Sequence, residues 1–153
     1  MRPAVLALLL LLSLLAAGCG GSGSSSREDF QSAVVETRDA SDNALAHITD
    51  NPSGKQELLQ RMDEAAEKID AAAESLDRKE APDELADEQQ RLVTALRQLA
   101  VDLSQTADQI RQPDFGGMLQ GTQGLSFESW DQANAVLAQL KKQGIEVEPL
   151  GRH

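Results

Sequence analysis

Residues able to do chemistry are few in this chain. Cys19 is the only cysteine, and the two histidines are His47 and His153. Acidic pairs are more frequent: Asp63-Glu64, Asp83-Glu84 and Asp87-Glu88. Glu84 and Glu88 stand four apart, a spacing that sets both carboxylates on one face of a helix. Such a pair can bind a divalent cation or work as acid and base. The same spacing is also ordinary for a solvated helical face, and Asp87 with Arg91 makes an equally good surface pair. The sequence carries no EF-hand pattern and no cluster of Cys and His suited to zinc. A di-iron bundle site needs Glu-x-x-His on two helices, and the residue three before His47 is Ala44. Gly116 and Gly121-Thr122 mimic part of a phosphate-binding loop, but the lysine is missing and no strand precedes. No Gly-x-Ser-x-Gly nucleophile elbow occurs. The expectation is therefore a protein that is not an enzyme, with no catalytic residue, metal or cofactor.

The first 19 residues have a different use. Met1 and Arg2 precede the apolar run Ala4 to Leu12, and the segment closes on Leu14-Leu15-Ala16-Ala17-Gly18-Cys19. A charged start, a short apolar core and a small-residue exit make a secretory signal. Ala4 to Ala17 is 14 residues, short of the ~20 a membrane-spanning helix requires. The segment resembles the lipobox signal of bacterial lipoproteins. That resemblance implies cleavage before Cys19, a diacylglycerol on its thiol and acylation of the new amino group. Two or more acyl chains anchor a protein stably, where one holds it only marginally. The expected address is the outer side of a cytoplasmic membrane, or an outer membrane. The expected divisions are a signal peptide over 1–18, a lipidated cysteine with a Gly/Ser tether over 19–26, and a helical bundle over 27–153.

With residues 1–18 removed, 13 basic and 25 acidic residues remain, a net charge of −12. Such a balance argues against nucleic acid, which calls for a basic footprint, and against adhesion of the body to anionic lipid. It suits solubility or a cationic partner. A lone cysteine also excludes an intramolecular disulfide.

Apolar spacing predicts helices. Phe30, Val34, Leu45 and Ile48 mark the first, over 27–49. Leu58, Met62, Ala65, Ile69, Ala72 and Leu76 form a heptad seam in the second, with Ser53 and Gln56 as a capping box. Glu57–Arg61, Glu64–Lys68 and Glu74–Arg78 are supporting pairs. The third is predicted to start at Pro82 and end at Pro113, with Leu85, Leu92, Leu96, Leu99, Leu103 and Ile110 on its seam. The last covers 127–143, with Ser129 and Gln132 as a capping box or Ser126 as an alternative cap, Trp130, Ala133, Leu137 and Leu140 facing inward, and Gly144 as its stop. Four glycines between Gly116 and Gly124 predict a loop before it. Ile145-Glu146-Val147-Glu148 alternates without a visible strand partner and reads as an extended tail against the bundle. The fold class is all-α, a three- or four-helix bundle with a Gly-rich loop before the last helix. In layout the mature part resembles small alanine-rich helical lipoproteins of unknown function.

Four polar residues interrupt the seams: Thr37 and Ser41 in the first helix, Gln89 and Thr106 in the third. Two functions follow. The first is a membrane-anchored structural or protein-interaction module that docks an unknown envelope protein through a helical face. An extended exposed apolar patch would favour it. The second is a binding module for a small cationic or apolar ligand in the bundle core, lined by Thr37, Ser41, Gln89 and Thr106. If these four merely make local hydrogen bonds, it loses its basis.

Overall fold

The computed structural model describes residues 22–113 and 127–151. Over these residues four α-helices pack in sequence: α1 (Ser22–Thr49), α2 (Lys55–Asp77), α3 (Ala86–Arg111) and α4 (Glu128–Lys142). A 3₁₀ turn, Asp83–Leu85, leads into α3. No strand occurs among the described residues. Helix α1 packs on α2, α2 on α3, and α3 on α4. Cross-helix pairs fix an up-down-up-down order. Arg97 on α3 meets Asp77 at the end of α2 at 3.0 Å, while Arg111 meets Asp63 further back. Gln143 at the end of α4 reaches Glu88 at the start of α3 at 3.0 Å.

The seams face inward as their spacing requires. Phe30, Val34, Leu45 and Ile48 are buried on α1, and so are Leu85 in the 3₁₀ turn and Leu92, Leu96, Leu99, Leu103 and Ile110 on α3. On α2, Met62, Ala65, Ile69 and Leu76 are buried, but Leu58 and Ala72 are only half-buried. Leu59, Ala66 and Ala73 are buried as well. The reason is that α2 lies between α1 and α3 and needs two overlapping stripes, where a heptad seam supplies one. The small residues of this wider face let the helices approach closely.

Several termini differ from the sequence reading. Helix α1 starts at Ser22, so residues 22–26, expected in the tether, form its first turn. Extending an existing helix needs no new nucleus, and serine costs only about half a kcal/mol relative to alanine. Pro82 is not the first helical residue; it precedes the 3₁₀ turn, and its carbonyl accepts from Leu85 N–H at 2.8 Å. The Ser53/Gln56 box gives way to Glu57, whose carboxylate accepts from the Ser53 amide at 2.7 Å and from its hydroxyl. Gly54 is the actual N-cap of α2. The Ser129/Gln132 box does not form either. Phe127 precedes the helix, and Ser129 is buried inside its first turn.

Gly144 does end α4, at φ +88°. Ile145 N–H donates to Leu140 O at 3.0 Å and Gly144 N–H to Lys141 O at 3.1 Å, the two bonds of a Schellman motif. This turn sends the chain back along the bundle. Residues 145–151 then run extended between α1 and α4, burying Ile145, Val147 and Leu150 while Glu146 and Glu148 face out. The tail joins α1 to α4 and closes the ring of helices.

Candidate functional site

The four polar seam residues do not converge. Thr37 and Ser41 are buried on α1, where Ser41 Oγ donates to Thr37 O at 2.8 Å. Thr106 Oγ1 donates to Asp102 O at 2.8 Å, the same one-turn back-bond. Gln89 Nε2 donates to Leu76 O and Lys79 O, each at 2.7 Å, and so terminates α2. Gln89 and Thr106 lie seventeen residues apart on α3, about 25 Å along its axis. Thr37 lines a cleft of about 110 Å³ between α1 and α2, among Ala33, Ala40 and Ala72.

The carboxylate pair is divided too. Glu84 sits in the 3₁₀ turn and pairs with Arg27 at 3.0 Å, whereas Glu88 accepts from Gln143. No group of three or more potential ligands suited to a metal ion occurs among the described residues. His47 is exposed in the last turn of α1, and its carbonyl accepts from Arg61 Nη1 at 2.9 Å. Cys19, Ser126, His153 and most of the glycine-rich segment lie outside the described residues.

Arg61 belongs to a compact polar node at the α1–α2 turn. Its Nη1 also donates to Asp50 O at 2.6 Å, and its Nη2 pairs with Glu57. Asn51 occupies the left-handed region at φ 45°, which asparagine tolerates. Hydrogen bonds from the Ser53 hydroxyl and amide, followed by that from Arg61, hold the Glu57 carboxyl down at about 2. A second polar node joins α3 to α4. Asp102 accepts from Ser129 Oγ at 2.5 Å through one oxygen and from Gln98 Nε2 at 2.9 Å through the other. Beside Ser129, the buried Trp130 has no hydrogen-bond partner for its indole N–H among the described residues.

A groove of about 590 Å³ runs along the tail between α1 and the end of α4. Val35, Arg38 and Asp39 form one wall, Lys141 and Gly144 the end, and Ile145 to Glu148 the other wall. Arg38 spans it: Nε and Nη2 donate to Pro149 O at 3.1 and 2.7 Å, and Nη1 pairs with Asp39 at 2.7 Å. Lys141 pairs with Glu148 at 2.7 Å, which holds that carboxyl below its ordinary range.

The extended tail is legible in the sequence, but the residues that hold it are not. The polar residues of α1 and α4 that bind it, Gln31, Arg38, Asp42 and Asn134, are indistinguishable by type from a solvated face. The signal the sequence offered was the alternation of Ile145 and Val147, which puts both side chains on one side of an extended chain, the side that is buried.

No protein-family model matches the sequence, and neither a curated protein nor a solved structure is significantly similar to it. Fold and site together define a helical bundle strapped by its own extended tail.

Proposed function

We propose that this protein is a lipid-anchored, non-catalytic interaction module of the cell envelope, held through Cys19 on the outer side of a membrane. The observation that carries this reading is the local use of the polar seam residues. Ser41, Gln89 and Thr106 bond to main-chain carbonyls of the bundle itself, so among the described residues they do not line a common chamber. What the protein presents outward is an acidic helical surface and the groove beside the tail. No extended apolar patch accompanies them: Val101 is the exposed large hydrophobic residue among those described. Contact with a partner would therefore be polar and charged, in keeping with the net charge.

The anchor gives this surface an orientation. Helix α1 begins at Ser22, three residues after Cys19, which is at most ~11 Å of extended chain. So short a link would put the end bearing the α1 N-terminus, the α2–α3 turn and the α4 C-terminus next to the membrane. No helix among the described residues is long and apolar enough to cross a bilayer, so the lipid is the attachment this reading requires. The alternative, a small ligand in the core, has less support, since the cleft beside Thr37 is well below the ~300 Å³ of ordinary ligand pockets.

The test is fractionation of cells producing the full chain or its Cys19→Ser variant. The native chain is expected in the membrane fraction with a mass increment on Cys19, and the variant in the aqueous fraction. Native chain without lipid and free of membrane would overturn the proposal.

A further inference from the structure

Four side chains from two helices hold the tail through hydrogen bonds to its main chain. Gln31 Oε1 accepts from Glu146 N–H at 3.0 Å, and Arg38 donates twice to Pro149 O. Asn134 accepts from Leu150 N–H at 2.7 Å and donates to Leu150 O at 3.3 Å. Asp42 Oδ1 accepts from Gly151 N–H at 2.6 Å. Between these clamps, Ile145, Val147 and Leu150 enter the bundle at spacings of two and three. Clamps on the main chain are indifferent to side-chain identity, while buried side chains at fixed spacing select a pattern. That combination is how grooves recognise extended peptides.

We infer that the surface between α1 and α4 is a peptide-recognition groove occupied in cis by residues 145–151, and that its partner is an extended segment with the pattern apolar-x-apolar-x-x-apolar. The pattern is taken from the tail itself, which covers this surface in the folded chain. Acidic residues suit the outward positions, because Lys141 on the rim already pairs with Glu148. The inference rests on the interaction reading above and names its surface. A partner segment competes with a tethered tail whose effective concentration is on the order of millimolar, so binding in trans is weak until the tail is released. The Schellman turn at Gly144 is the point about which it would leave.

The probe is a fluorescent peptide with the sequence of residues 144–151, titrated against the full chain and against a Val147→Asp, Leu150→Asp variant whose own tail is weakened. The variant is expected to bind at least tenfold more tightly than the native chain, and adding Asn134→Ala is expected to reverse that gain. A variant that keeps its helical circular dichroism and fails to bind overturns the inference. Should the variant lose its helices, hydrogen exchange of the native chain with peptide at several millimolar decides. Loss of protection confined to the tail amides upholds the groove, and unchanged protection overturns it. Failure of the peptide while a partner is still captured in cells removes the groove and leaves the interaction reading standing.

Discussion

Asn134 on α4 satisfies both main-chain polar groups of Leu150, with the amide donating to Oδ1 at 2.7 Å and the carbonyl accepting from Nδ2 at 3.3 Å. Leu150 itself is buried, so this one side chain sets the position of an apolar anchor near the end of the tail. Asn134→Ala leaves a partly buried donor and acceptor unpaired. The expected loss is about 1–3 kcal/mol, measured as a shift in the urea midpoint with unchanged slope. Asn134→Asp keeps the acceptor but loses the donor, and is also expected to destabilise.

The node around Glu57 makes stability depend on acid. Its carboxyl titrates near 2 in the folded chain against an ordinary value of 4.5. Between those values the unfolded chain binds more protons, so stability rises with pH through this window. The contribution is fully present above about 4.5 and is lost as pH falls toward 2. Glu57→Gln removes it. Midpoints of thermal unfolding measured from pH 2 to pH 6 are expected to rise less steeply for the variant than for the native chain.

Gly144 lies at φ +88°, where a side chain strains the backbone whatever room it has. A Cβ there would meet Arg27 Nη2 at 3.5 Å, an ordinary contact. The cost of Gly144→Ala is therefore conformational, about 1–2 kcal/mol. Equilibrium denaturation checks the magnitude, and hydrogen exchange is expected to show the loss first in the tail that follows the turn.

Ser41 is buried, yet its hydroxyl serves only Thr37 O one turn away. That carbonyl keeps its helical bond when the hydroxyl is removed. Ser41→Ala is expected to change stability by less than about 1 kcal/mol. A larger loss in urea unfolding would show that the hydroxyl contributes more than a local back-bond.

The helices were legible because their signals are local and redundant. Leu92, Leu96, Leu99 and Leu103 state their common face in the sequence itself, and Gly144 announces the end of α4. Starts were less legible because several side chains can cap one terminus. Ser53 has a glutamine three residues on, yet the carboxylate of Glu57 is the stronger acceptor and takes both of its donors. The second buried stripe of α2 was hidden for another reason: Leu59, Ala66 and Ala73 acquire meaning only once α2 has a neighbour on each side. The same holds for the groove. Gln31, Arg38, Asp42 and Asn134 are separated by up to 103 positions from one another, and nothing in their spacing relates them to the tail they hold. Thr37, Ser41, Gln89 and Thr106 were visible as interruptions, but an interruption does not show whether a hydroxyl faces a cavity or its own helix.

The most direct test of an anchored interaction module is photo-crosslinking in cells. A photoreactive residue replaces, one at a time, Asp39 and Glu146 beside the groove, Glu67 and Asp70 on the outer face of α2, and Val101 on α3. The account predicts recurrent adducts with one envelope protein from the groove positions, lost when Cys19 is changed to serine. Absence of a protein adduct from every one of these positions, with the chain folded and lipidated, would contradict it.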